Sequence, residues 1–152
     1  MRKLFLVLTI LLIISLTVQF YFAAYGVFST DPMEGFAFHA MNGRFVLPIL
    51  ALLVIIGAAL ARAGGRTIGL SVVPLALILF QTVLFILTGA VTGASEESAE
   101  VPVAASIMLG FHAIVGLAAF VVSYMLIQRA RRLIATGSAT VEKEPVAAPI
   151  PR

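Results

Sequence analysis

Cysteine is absent from this chain, and histidine occurs only twice in its 152 residues. Without a thiol there is no disulfide, no thiolate metal site and no cysteine nucleophile. Charge is nearly as scarce: 11% of the residues are Asp, Glu, Lys or Arg. Nor does the sequence hold the parts of a hydrolase. It has no nucleophile elbow, no phosphate-binding loop and no pair of histidines four apart to hold zinc. The net charge of +3 and the pI near 9.8 would suggest nucleic acid only if the basic residues formed a patch. They stand instead at the ends of apolar segments, where membrane topology explains them. Nucleic acid is therefore not an expected partner, and no catalytic residue is assigned.

What is present is hydrocarbon. The chain is 61% hydrophobic with a mean hydropathy of +1.12, which is too apolar for a soluble domain of this size. Four apolar runs, at about residues 4–25, 36–61, 67–89 and 102–128, are each long enough to cross a hydrocarbon core of roughly 30 Å as a helix. Backbone groups in lipid must be bonded within their own segment, which also selects helices. The first run follows Arg2 and Lys3, as a signal peptide would, but it is longer than a signal h-region and ends in Phe20-Tyr21-Phe22, so a retained helix is expected. Pro48 should kink the second helix or free a carbonyl. Asp31-Pro32 reads as a turn opener. Residues 135–152 are rich in Ala and Pro with mixed charge and are expected to be a disordered tail after a transmembrane domain spanning 1–134.

The charges orient the helices. Nine of the ten Lys and Arg lie near the N-terminus, in the Arg62–Arg66 turn or in the C-terminal region, and five of the seven acids lie in the first and third loops. The positive-inside rule then puts both termini and the Arg62–Arg66 turn in the cytoplasm. The expected architecture is an all-α, integral membrane four-helix bundle in the cell membrane, with the lipid bilayer as its main partner.

A short phrase occurs twice. Phe38-His39-Ala40-Met41-Asn42-Gly43 and Phe111-His112-Ala113-Ile114-Val115-Gly116 both read F-H-A-x-x-G, and they contain both histidines. Each phrase opens a helix running from the outside inward. The preceding helices carry one glutamine each, Gln19 and Gln81. The chain thus reads as two repeated hairpins. Counting from the cytoplasmic charges at about 1.5 Å per residue puts Gln19, Gln81 and His112 in one layer, about 22–25 Å up, and His39 about 9 Å higher. That offset argues against a shared ligand unless kink or tilt removes it.

Two imidazoles facing each other in a helix bundle are the usual protein part of a b-type haem site. On this reading His39 and His112 are axial ligands of haem b. Gly43 and Gly116 leave room for a flat macrocycle, Arg44 meets a propionate, and Gln19 and Gln81 act as supporting polar groups. Two other readings stay open. The polar residues are helix–helix contacts of a non-catalytic accessory or scaffold subunit, or the bundle binds a quinone or another small lipophile through Gln19 and Gln81.

The layout resembles one four-helix half of heme A synthase: an acidic residue in the outer loop, a histidine at the outer end of helix 2 and another in helix 4. The matching positions are Glu34, His39 and His112. The resemblance implies that the histidine pair ligates haem and that Glu34 is the loop acid. That family joins two such halves where this chain has one, and its loop cysteines are absent here. The chain is also similar to small bacterial four-helix membrane proteins with a histidine in helices 2 and 4, a likeness that implies no activity. The combined expectation is a small cytochrome b-like protein, serving electron transfer or haem handling with a redox or complex partner in the membrane.

Overall fold

A computed structural model describes residues 1–95 and 100–137. Four helices long and apolar enough to cross a membrane make up the bundle: α1 (Arg2–Phe28), α2 (Met33–Leu60), α3 (Gly65–Thr92) and α4 (Val103–Thr136). No strand occurs among the described residues. Each helix packs on its neighbours in sequence, and α1 packs on α4 to close the ring, so α2 and α4 lie on one diagonal and α1 and α3 on the other. One end is basic, with Arg2, Lys3, Arg62 and Arg66. The opposite, far end carries Asp31 and Glu34. The expected loop acids Glu96 and Glu97 and the expected tail from residue 138 onward lie outside the described residues.

The core sits toward the basic end. Phe5, Leu12 and Leu16 of α1 pack with Leu47, Ala51, Val54 and Ala58 of α2, Ile78 of α3, and Ala119, Leu126, Ala130 and Leu133 of α4. The alanines let backbones approach closely, which is how membrane helices gain packing energy without a hydrophobic driving force. Several buried hydroxyls are satisfied within their own helices: Thr9 donates to the Phe5 and Leu6 carbonyls, Ser71 to that of Ile68 and Ser123 to that of Ala119. Large apolar side chains such as Ile14, Ile49, Ile86 and Ile114 face outward, as lipid contact requires.

The helix boundaries differ from the sequence reading by one to three residues, except that α4 ends eight residues beyond the expected 128, and two of the differences have a clear cause. The tail was expected from residue 135, but α4 runs on to Thr136. Arg129, Arg131 and Arg132 are good helix formers, and Ala130 and Leu133 remain buried against the bundle. At the other boundary, α2 ends at Leu60. Arg62 lies beyond it in a left-handed conformation with φ 53°, and the Ala63 N–H closes the turn on the Ala58 carbonyl at 3.1 Å.

Helix α2 is interrupted near its start. Asp31 caps it, its Oδ1 accepting from the Met33 and Glu34 N–H groups at 3.0 and 3.2 Å. A single residue, Phe36, breaks the helical ladder between Gly35 and Ala37. A π turn then spans Asn42–Val46, and the Leu47 N–H donates to Asn42 O, five residues back. Pro48 supplies the reason. It has no N–H for the carbonyl four residues earlier, and its ring crowds that carbonyl; the ladder shifts by one residue directly before it.

Candidate cofactor site in the polar layer

One polar residue from each helix meets at the same level in the far half of the bundle: Gln19, His39, Gln81 and His112. The imidazoles of His39 and His112 face each other across the α2–α4 diagonal, with ring centroids 5.9 Å apart and planes inclined by 51°. The offset of about 9 Å expected from residue counting is not present. That count took Arg62 and Arg129 as equivalent markers, and they are not. Arg62 lies past the end of α2, whereas Arg129 is nearly two turns inside α4 and reaches to Thr67 Oγ1 at 3.3 Å. Two helical turns are about 11 Å, which is enough to remove the difference.

Each histidine-bearing backbone is held by the glutamine of the helix before it. Gln19 Nε2 donates to the His39 carbonyl at 3.1 Å, and Gln81 Nε2 donates to the His112 carbonyl at 3.1 Å. The glycine of each phrase makes this bond accessible. In a helix the carbonyl of one residue points toward the residue four later, so a side chain at that position would cover it. A Cβ added to Gly43 would lie 2.9 Å from Gln19 Nε2, and one added to Gly116 would lie 3.7 Å from Gln81 Nε2. The space next to these glycines is therefore occupied by glutamine amides. The sequence reading had reserved it for a macrocycle.

The two glutamine–histidine units differ in how completely they are bonded. Around Gln19 the network is closed. Asn42 Nδ2 donates to Gln19 Oε1 at 2.8 Å and to the Ser15 carbonyl at 3.1 Å, while Ser15 Oγ donates to Asn42 Oδ1 at 2.8 Å. His39 Nδ1–H donates to the Gln19 carbonyl at 3.2 Å, because a carbonyl can only accept. This fixes the tautomer and leaves the Nε2 lone pair available. Around Gln81 no asparagine is present. Gln81 Oε1 and His112 Nδ1 are buried and have no hydrogen-bond partner among the described residues. Composition alone could not reveal Asn42 and Ser15, but their spacing of three after His39 and four before Gln19 was available as a signal.

Aromatic rings frame the layer. Phe36 stands edge-on to His39 at 6.0 Å and Phe85 edge-on to His112 at 5.2 Å. Phe38 stacks on Phe22 at 5.6 Å. Phe36 itself lies over Gly26, where an added Cβ would be 2.6 Å from its ring. Arg44 is exposed in the π turn, and Glu34 is exposed on the short helical stretch before it. Two shallow grooves, about 400 and 210 Å³, lie along Tyr21 and Tyr25 at the far end of α1, and neither is lined by a residue of the polar layer. Among the described residues, no three His, Asp or Glu side chains are grouped to hold a metal ion. A bis-imidazole site needs only two.

A family model described as "Family of unknown function (DUF6220)" matches residues 19–89. The match runs from Gln19 through His39 to beyond Gln81 and stops before His112. No curated protein matches the chain, and no solved structure does.

Proposed function

We propose that this multi-pass membrane protein binds b-type haem between His39 and His112 and serves electron transfer or haem handling. The facing imidazoles carry the proposal. A metal bonded by one nitrogen of each ring at about 2.0–2.1 Å keeps the nitrogens about 4 Å apart and the ring centres about 6 Å apart; the centroids of His39 and His112 are 5.9 Å apart. The Gln19 carbonyl holds His39 by Nδ1–H, which is the outer-shell arrangement that orients a ligating imidazole and raises its basicity. Gln19 and Gln81 fix the two backbones that carry the rings, and Arg44 offers a cation at this end for a propionate. His39 and His112 would hold the haem, which would supply one-electron transfer chemistry there.

The resemblance to one half of heme A synthase supports the same assignment, since histidines of helices 2 and 4 form the pair there and would do so here. On this reading the two hairpins are repeats, supported by the recurrence of the glutamine-to-histidine bond. Both termini are cytoplasmic and the membrane is the cell membrane, supported by the basic residues gathered at one end. A redox or complex partner in the membrane would exchange the electron.

A second reading has its own observation. The Ser15–Asn42–Gln19–His39 network is complete without any ligand, as polar residues that hold helices together would be. A scaffold subunit would need no more. A reduced-minus-oxidised absorption spectrum of the protein, purified in mild detergent after expression with ample haem, decides between them. Haem bands that are lost in both His39→Ala and His112→Ala support the proposal, and their absence from the wild-type protein overturns it.

A further inference from the structure

Four aromatic rings meet on the outer surface at the far end of the bundle. Tyr21, Phe22 and Tyr25 stand in the last turns of α1, and Phe38 joins them from α2. Tyr21 stacks on Tyr25 with centroids 6.5 Å apart, Phe22 stacks on Phe38 at 5.6 Å, and Tyr21 leans on Phe22 at 5.9 Å and 56°. These four side chains line the groove of about 210 Å³, which has no charged side chain in its wall. Tyr21, Tyr25 and Phe38 are exposed. Tyrosines are common where a helix leaves the hydrocarbon, but the second hairpin does without them. The three rings of α1 lie two, three and six residues after Gln19, and the same positions after Gln81 hold Val83, Leu84 and Leu87. Both glutamines bond the histidine carbonyl of the next helix, so the two sets lie at matching depth. Val83 and Leu87 are exposed as well. Aliphatic side chains thus suffice for lipid contact at this level, and the rings of α1 call for a further reason.

We infer that this groove binds the trimethylammonium head group of a phosphatidylcholine lipid. The face of an aromatic ring attracts a cation within about 6 Å of its centre, and quaternary ammonium groups are bound in this way. Neighbouring centroids here are 5.6–6.5 Å apart, so a cation in the groove is within reach of more than one ring. The charge of this end is complementary. Among the described residues it carries Asp31, Glu34 and Glu100 against a single cation, Arg44. The wider groove alongside follows the same tyrosines to Ser29 and Thr30, and Asp31 is the next residue, its N–H donating to Ser29 Oγ at 3.3 Å. The wall also selects the kind of cation. A primary ammonium has three N–H donors, and the groove has no carboxylate or amide side chain to accept them. A quaternary ammonium has no donor to satisfy and spreads its charge over methyl groups that rest against the rings. The groove opens on the lipid-facing surface close to the end of α1 at Phe28, at the level of the head groups, so the cation is that of a lipid and not of a solute. Neither histidine takes part, and haem is not required.

The test is native mass spectrometry of the full-length protein in maltoside micelles, offered phosphatidylcholine and phosphatidylethanolamine with identical acyl chains. The two head groups have the same net charge and differ only in the methyl groups on nitrogen. One phosphatidylcholine retained per chain, preferred about fivefold or more over phosphatidylethanolamine, is expected. Tyr21→Val with Tyr25→Leu gives α1 the side chains of the second hairpin. Both positions are exposed, so the melting temperature should hold while the preference is lost. Tyr21→Phe with Tyr25→Phe keeps the ring faces and should keep the preference. The inference is overturned by equal retention of the two lipids, by a preference that survives in the aliphatic variant, or by one that is lost in the phenylalanine variant, which would assign the binding to the hydroxyls. Should the aliphatic variant fail to fold, the wild-type comparison and the phenylalanine variant still decide. Choline chloride separates the sources: if it displaces the lipid at equal concentration, the ligand is a water-soluble cation and the lipid assignment is overturned. None of these results depends on the haem spectrum, so the two proposals fail separately.

Discussion

Gln19 and His39 hold each other by reciprocal bonds: the glutamine side chain donates to the histidine carbonyl at 3.1 Å, and the histidine ring donates to the glutamine carbonyl at 3.2 Å. Between Gln81 and His112 only the first of these is made. The difference predicts unequal responses to the same substitution. Gln19→Leu removes the bond from Gln19 Nε2 to the His39 carbonyl and the one from Asn42 Nδ2 to Gln19 Oε1, and should cost about 1–3 kcal/mol. Gln81→Leu removes one bond but also an orphaned acceptor, and should cost less than about 1 kcal/mol. Thermal unfolding of both variants in the same detergent checks the order.

The two glycines of the repeated phrase should respond in opposite directions. At Gly43 an added methyl group would lie 2.9 Å from Gln19 Nε2, an amide held on both sides by His39 and Asn42. Gly43→Ala should therefore destabilise by about 1–3 kcal/mol, as overpacking does. At Gly116 the corresponding distance of 3.7 Å is ordinary contact. Gly116→Ala should gain up to about 1 kcal/mol from helix propensity. Melting temperatures that moved together would count against the packing described.

His39→Ala and His112→Ala should each abolish the haem bands, since a bis-imidazole site fails when either ring is lost. Phe36→Leu removes the ring edge-on to His39 but no ligand, and should leave bands shifted or weakened. Difference spectra at equal protein concentration read all three.

The chain has no cysteine of its own, so single cysteines report topology without background. Thr30→Cys and Gly65→Cys both fall on exposed positions at opposite ends of the bundle. A membrane-impermeant maleimide added to intact cells should label the first and spare the second. The reverse pattern would invert the proposed orientation.

The spans were legible because lipid leaves few choices: uncharged runs of sufficient length have to be helices. The polar layer was legible in part. Gln19, Gln81 and His112 came out at one depth from their distance to flanking charges, but the same count misplaced His39. It relied on Arg62, a residue outside its helix, and nothing in composition marks that. The neighbours of Gly43 and Gly116 were not legible for a related reason. A glycine shows that something approaches closely, but the sequence does not say what, and here it is the amide of the preceding helix. Asn42 was visible as the one polar departure between the two phrases, yet its partners Ser15 and Gln19 are on another helix and appear only once α1 and α2 are docked.

The π turn leaves a trace in the spacing of inward-facing residues. Along α2 the buried positions run Ala58, Val54, Ala51, Leu47 and then Asn42, so steps of three or four are followed by one step of five. A helix repeating every 3.6 residues turns about 100° per residue, and without the wide turn that extra residue would swing His39 away from the diagonal. The segment therefore behaves like a tolerated single-residue insertion. Deleting Phe45, an exposed member of the turn, should remove the extra residue and leave both stretches in phase, and the protein should retain its stability and its spectrum. Deleting Leu52, below the turn, has no such slack to absorb it and should abolish both. The far end of the helix can thus lose one residue at this point without changing which side chains it points at His112.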